Sequence, residues 1–107
     1  MSHRVIEVDE LPDEPLAAAG AFHSDWAGTV RQALGESPCV TLILSPADES
    51  HRDWRVAIVR DLARIAAPGR VNMVSRGSEE SLRTALDYLA SAPGITGQYL
   101  PLAEDEA

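Results

Sequence analysis

With 107 residues the chain has room for one core, and at this size roughly two thirds of its unfolded surface can be buried. An apolar fraction of 45% fits a folded globular protein, while a formal charge of −8 makes nucleic acid and anionic membrane poor partners. All nine basic residues are arginine, which excludes chemistry that needs a tunable lysine amine.

In chain order, Arg4–Val8 has strand character and ends in the acidic, proline-containing turn Asp9-Glu10-Leu11-Pro12. Leu16–Ala19 predicts one helical turn, interrupted by Gly20. Ser24 is a candidate N-cap for a helix running to about Leu34 and closed by Gly35. Phe22, Trp26, Val30 and Leu34 recur every fourth position and predict its buried face. Cys39–Leu44 is a continuous β-prone run, as expected of a strand covered on both sides. The loop 45–50 leads to a helix over 51–66, ended by Pro68-Gly69. Val71–Val74 is the third strand, Ser78 caps a helix to about Ala90, and Ile95–Leu102 is the last strand. Residues 1–102 thus form one α/β domain, and 103–107 an acidic flexible tail. The β-α-β-α-β-α-β order predicts right-handed crossovers and half of a Rossmann-like doubly wound fold. It would be a four-stranded parallel sheet with helices on both faces.

The helix over 51–66 carries more apolar surface than a helix resting on one sheet needs. Trp54, Ala57, Ile58, Leu62 and Ile65 make one stripe, and Val56, Val59, Ala63 and Ala66 a second. The surplus is covered either by the Trp26 helix within the chain or by another subunit. Trp54, Ile58, Leu62, Val59 and Trp26 are the interface candidates, and Ile58→Glu is expected to dissociate the assembly.

Other chemistry finds little support. His3, His23 and His51 are too scattered for a metal motif, and a single cysteine, Cys39, cannot build a structural zinc site or an internal disulfide. Asp48, Glu49 and His51 cluster where a strand leads into a helix, at the sheet edge that α/β proteins use for their sites. A solvated capping loop explains the same residues. With no apolar run approaching about 20 residues and no signal-peptide core, the expected location is the cytoplasm.

Arg70-Val71-Asn72-Met73-Val74-Ser75-Arg76-Gly77, Ala85-Leu86-Asp87-Tyr88-Leu89-Ala90-Ser91 and Ile95-Thr96-Gly97-Gln98, with the preceding Leu62-Ala63, together carry a resemblance. They resemble the C-terminal half of the short-chain dehydrogenase/reductase family, with its Val-Asn-x-Val-x-Pro-Gly strand end and its Thr-Gly-Gln strand. The likeness covers residues 37–100 and is strongest over 62–100. The family's Tyr-x-x-x-Lys pair would fall near Asp48 and Arg52, and neither Tyr88 nor Tyr99 is followed by lysine. Ser45 would be a remnant of the family's serine. Arg76-Gly77 stands where the family has Pro-Gly, and the Gly-rich nucleotide turn has no counterpart. The resemblance therefore implies an inactive reductase-like domain that binds no nicotinamide cofactor and acts as an oligomerising or partner-binding subunit. Its assembly would be a homodimer or a heteromer with a reductase-like protein, packed through the two helices that flank the active-site strand. The alternatives are a small enzyme using the Asp48/His51 loop and a ligand-sensing module without chemistry.

Overall fold

A computed structural model describes residues 3–104. Four parallel strands, β1 (Arg4–Val8), β2 (Cys39–Leu44), β3 (Arg70–Ser75) and β4 (Tyr99–Pro101), lie in the order β1-β2-β3-β4. The register aligns Ile6 with Leu42, Leu42 with Met73, and Met73 with Tyr99. The half-Rossmann expectation holds.

Alternation along the strands separates two cores. Ile6, Val8, Val40, Leu42, Leu44, Val71 and Met73 point to the face covered by α1 (Pro15–Ala21), α2 (Ala27–Glu36) and α3 (Arg52–Ala66). Ile43 and Val74 point to the other face, where α4 (Glu79–Ala90) sets Leu82 and Leu89 against them. β2 and β3 are buried along their whole length because helices cover both sides, which explains their unbroken apolar runs. Each crossover steps in the same direction along the sheet, but α4 lies on the face opposite α1–α3. The crossover through α4 therefore has the opposite hand from the other two, and the expectation of uniform right-handedness fails there.

The first helical segment also differs from expectation. It starts at Pro15, where the Glu14 carboxylate accepts from the backbone N–H groups of Leu16 and Ala17. The backbone stays right-handed helical through Gly20 and through a π turn over Phe22–Trp26, closed by Ala27 N–H donating to the Phe22 carbonyl. Ser24 lies inside this turn and caps nothing. The physical reason is the four-residue spacing of Phe22, Trp26, Val30 and Leu34. Four residues of α-helix overshoot a full turn by about 40°, and one wider turn keeps Phe22 and Trp26 facing the sheet. Phe22 and Val30 are fully buried, Trp26 and Leu34 partly.

The C-terminal third departs in one further respect. Only Tyr99–Pro101 is strand, whereas residues 95–98 form a loop in which Gly97 has φ 73°. Gly97 N–H bonds the Val71 carbonyl at 2.7 Å, a left-handed geometry that favours glycine. Gly77 is required by proximity, since a Cβ there would lie 2.2 Å from the Ala103 carbonyl oxygen. That oxygen accepts from Ser78 N–H and from the Ser81 hydroxyl, so the start of the expected tail is tied to the N-terminus of α4. Residues 105–107 of the tail lie outside the described residues.

Candidate functional site

At the carboxyl edge of β1 and β2 the chain opens a cleft of about 320 Å³. Its walls come from the β1 exit (Glu10, Asp13), the β2 exit (Ser45, Asp48) and the start of α3 (His51, Arg55). It lies between the loop that leaves β1 toward α1 and the loop that leaves β2 toward α3.

His51 is buried in the wall, and both ring nitrogens are engaged. The Trp54 indole N–H donates to Nδ1 at 3.0 Å, and since an indole nitrogen only donates, Nδ1 carries no proton. Nε2 then donates to the Asp13 carbonyl at 2.8 Å. The histidine faces an indole and a carbonyl, and its one lone pair is already in use. Such an imidazole joins the β1 exit to α3 and has no free basic nitrogen for proton transfer. Asp48 is exposed and caps the single 3₁₀ turn Glu49–His51 by accepting from Ser50 N–H at 3.0 Å. The Ser50 hydroxyl and, after it, the Ser50 N–H hold the Asp48 carboxyl below its ordinary range, so it stays ionised at neutral pH.

Arg55 escaped the sequence reading. It is 3% exposed, and one terminal nitrogen, Nη1, donates to the Ser45 carbonyl and to the Tyr99 hydroxyl, each at 3.1 Å. The guanidinium lies 5.6 Å from the Trp54 ring centroid and 5.8 Å from that of Tyr99. It forms no ion pair among the described residues, and its Nε is buried without a hydrogen-bond partner. The signal was present in the sequence. Arg55 precedes Ile58, Val59 and Leu62 by three, four and seven positions, so an arginine occupies a core position of the helix.

Of the five interface candidates, Ile58, Val59 and Leu62 are buried inside the chain. Trp54 meets Phe22 at 6.0 Å between ring centroids and, like Trp26, is only partly buried. The Trp26 helix therefore covers much of the surplus surface of α3, and Ile58→Glu would test folding before assembly. What remains is a shallow apolar groove between the π turn and α3, lined by Phe22, Ala27, Ile58, Leu62 and Ile65, with Ile65 53% exposed. Among the described residues no cluster of histidine, cysteine or acidic side chains suits a metal ion. No helix there is long and apolar enough to cross a membrane.

The residues of the family resemblance have structural partners. The fully buried Asn72 donates from Nδ2 to the Ile95 carbonyl and accepts Gln98 N–H on Oδ1, both at 3.1 Å. Thr96 Oγ1 accepts Val71 N–H at 3.1 Å.

A parallel four-stranded sheet, helices on both faces and an opposite-handed last crossover define a Rossmann-like α/β half-fold. A family model described as short chain dehydrogenase-like protein matches residues 6–102, and the chain belongs to that family. The match extends the likeness seen in the sequence through the helical segment of α1 and α2 to β1. No curated protein and no solved structure gives a match.

Proposed function

We propose that this chain is a non-catalytic short-chain-dehydrogenase-like protein that works by assembly, as a homodimer or in a heteromer with a reductase-like protein. The observation that carries this reading is the groove between the π turn and α3, where Ile65 stands 53% exposed beside Phe22, Ile58 and Leu62. Arg31, Asp61 and Arg64 rim it with both signs of charge, a composition suited to an apolar contact with a polar border. The absence of any lysine supports the non-catalytic part, as does a His51 ring whose two nitrogens are both engaged.

Ile65→Arg tests the assembly without disturbing the core, because the side chain is largely outside it. The wild-type protein should sediment as a dimer at micromolar concentration, alone or on titration with a reductase of the host. The variant should lose at least about tenfold in affinity, with an unchanged circular dichroism spectrum. A wild-type protein that stays monomeric and binds no reductase would overturn the reading. NAD(H) and NADP(H) should leave the melting temperature unchanged at millimolar concentration, and saturable stabilisation by any of them would restore a dehydrogenase role.

A further inference from the structure

Arg55 is the one strongly buried cationic group in the carboxyl-edge cleft, and it forms no ion pair among the described residues. A guanidinium out of water is tolerated when its donors are satisfied and its charge balanced. Here only Nη1 is bonded, to a carbonyl and a phenol. Nε is sealed without a partner, and Nη2 makes no hydrogen bond among the described residues. Nη2 alone combines unused donors with residual exposure, so it is the nitrogen of Arg55 that a ligand carboxylate can reach. By contrast, the other strongly buried arginine, Arg70, has carbonyl acceptors for both terminal nitrogens.

The rest of the cleft selects among carboxylates. Glu10, Asp13 and Asp48 line it, and all three are exposed. A ligand carrying only negative charge would gain at Arg55 and be repelled at this rim. One carrying a carboxylate and an ammonium would be attracted at both ends. A volume of about 320 Å³ suits a compact metabolite and is too small for a dinucleotide.

We propose that this cleft binds a small zwitterion of the amino-acid class, with its carboxylate on Nη2 of Arg55 and its ammonium toward Asp48 and Asp13. The site adds ligand sensing to the assembly reading and stands independently of it. Asp13 also holds His51 through its carbonyl, and His51 holds Trp54. Occupancy would thus bear on the same α3 whose far end carries Ile65.

The direct probe is the side-chain Nε–H signal of Arg55 in a ¹⁵N–¹H spectrum of the full chain, assigned by its loss in Arg55→Lys. The proteinogenic amino acids are titrated singly, beside acetate, ethylamine and inorganic phosphate. At least one amino acid should shift the Arg55 Nε–H and the Ser50 amide saturably, and bind at least about tenfold tighter than acetate or ethylamine. Asp48→Asn, at an exposed position, should fold normally and abolish the preference for the amino acid over acetate. If no amino acid produces a saturable shift, the proposal is wrong. Equal binding of acetate or phosphate would mean an anion site and overturn the zwitterion. Unchanged discrimination in Asp48→Asn would remove the rim's part. Sedimentation of the wild type is read separately, so failure here leaves the assembly reading standing.

Discussion

Replacing Arg70 with methionine should cost the fold about 3 kcal/mol, a large share of the roughly 5–15 kcal/mol available to a domain of this kind. The reason is the C-terminus of α4. A helix leaves its last four carbonyls without intrahelical partners, and α4 has no basic residue in its last turn. Ser91 serves two of them, its hydroxyl donating to the Asp87 carbonyl and its N–H to that of Tyr88. Arg70, reaching up from β3, serves the other two. Nη1 donates to Leu89 at 2.8 Å, and Nη2 lies 3.4 Å from the Ala90 carbonyl. Nη1 also donates to Ala92 at 2.8 Å, beyond the helix end. The cation that favours a helix C-terminus therefore comes from the sheet. Methionine keeps the packing of the stem but removes the charged donor, whose bonds are worth about 1.5–3 kcal/mol each. The Leu89 carbonyl is left only the Cys39 thiol at 3.9 Å, and the Ala92 carbonyl only the Ile95 N–H at 3.0 Å. Urea unfolding followed by tryptophan fluorescence should show the loss, and hydrogen exchange should place it at the end of α4. Arg83→Met, on the exposed side of the same helix, should change stability by less than about 0.5 kcal/mol. Equal effects at the two positions would sink this account.

The sheet was legible in the sequence because its code is local. Cys39–Leu44 and Arg70–Ser75 are short apolar or β-prone runs bounded by turn residues, and two-sided burial permits nothing else. The Ser78 cap and the acidic first turn of α4 were legible for the same reason. The continuous helix from Pro15 was hidden because Gly20 and Ser24 are weak helix formers, and tertiary packing of Ala18 and Phe22 overrode that preference. The hand of the last crossover has no local code at all. It depends on which face α4 covers, and its stripe of Leu82, Ala85, Leu86 and Leu89 would suit either. The cleft was half legible. Asp48 and His51 stood out as titratable residues at a favoured edge, yet the indole bond from Trp54 removes the nitrogen that made His51 attractive. Arg55 drew no notice because its charge hid a core position.

Asn72→Leu should be the second costly change, again by about 3 kcal/mol, and it bears on what the family motif means. Asn72 is a fully buried amide whose two ends hold opposite sides of one loop, the Ile95 carbonyl and the Gln98 N–H. Leucine takes the acceptor from Gln98 N–H and leaves the Ile95 carbonyl only the long 3.4 Å contact from Arg70 Nη1. The adjacent bonds from Gly97 N–H to the Val71 carbonyl and from Met73 N–H to the Gln98 carbonyl depend on the same register, so the loss should spread to β4. Asn72→Asp separates the hydrogen-bond explanation from simple loss of fit. Its Oδ can still accept Gln98 N–H, but an ionised carboxylate would face the Ile95 carbonyl. Protonation restores a donor there, so the folded form holds the proton more tightly than the unfolded one, and the variant's deficit relative to wild type should shrink as pH falls. The Asn72→Leu deficit should stay constant over the same range. If both deficits are pH-independent, the amide is not acting as a two-ended clamp. If the contrast appears, Val-Asn and Thr-Gly-Gln hold β4 in register whether or not a tyrosine–lysine pair is present. Their occurrence in a chain without lysine then follows from packing, and says nothing in favour of catalysis.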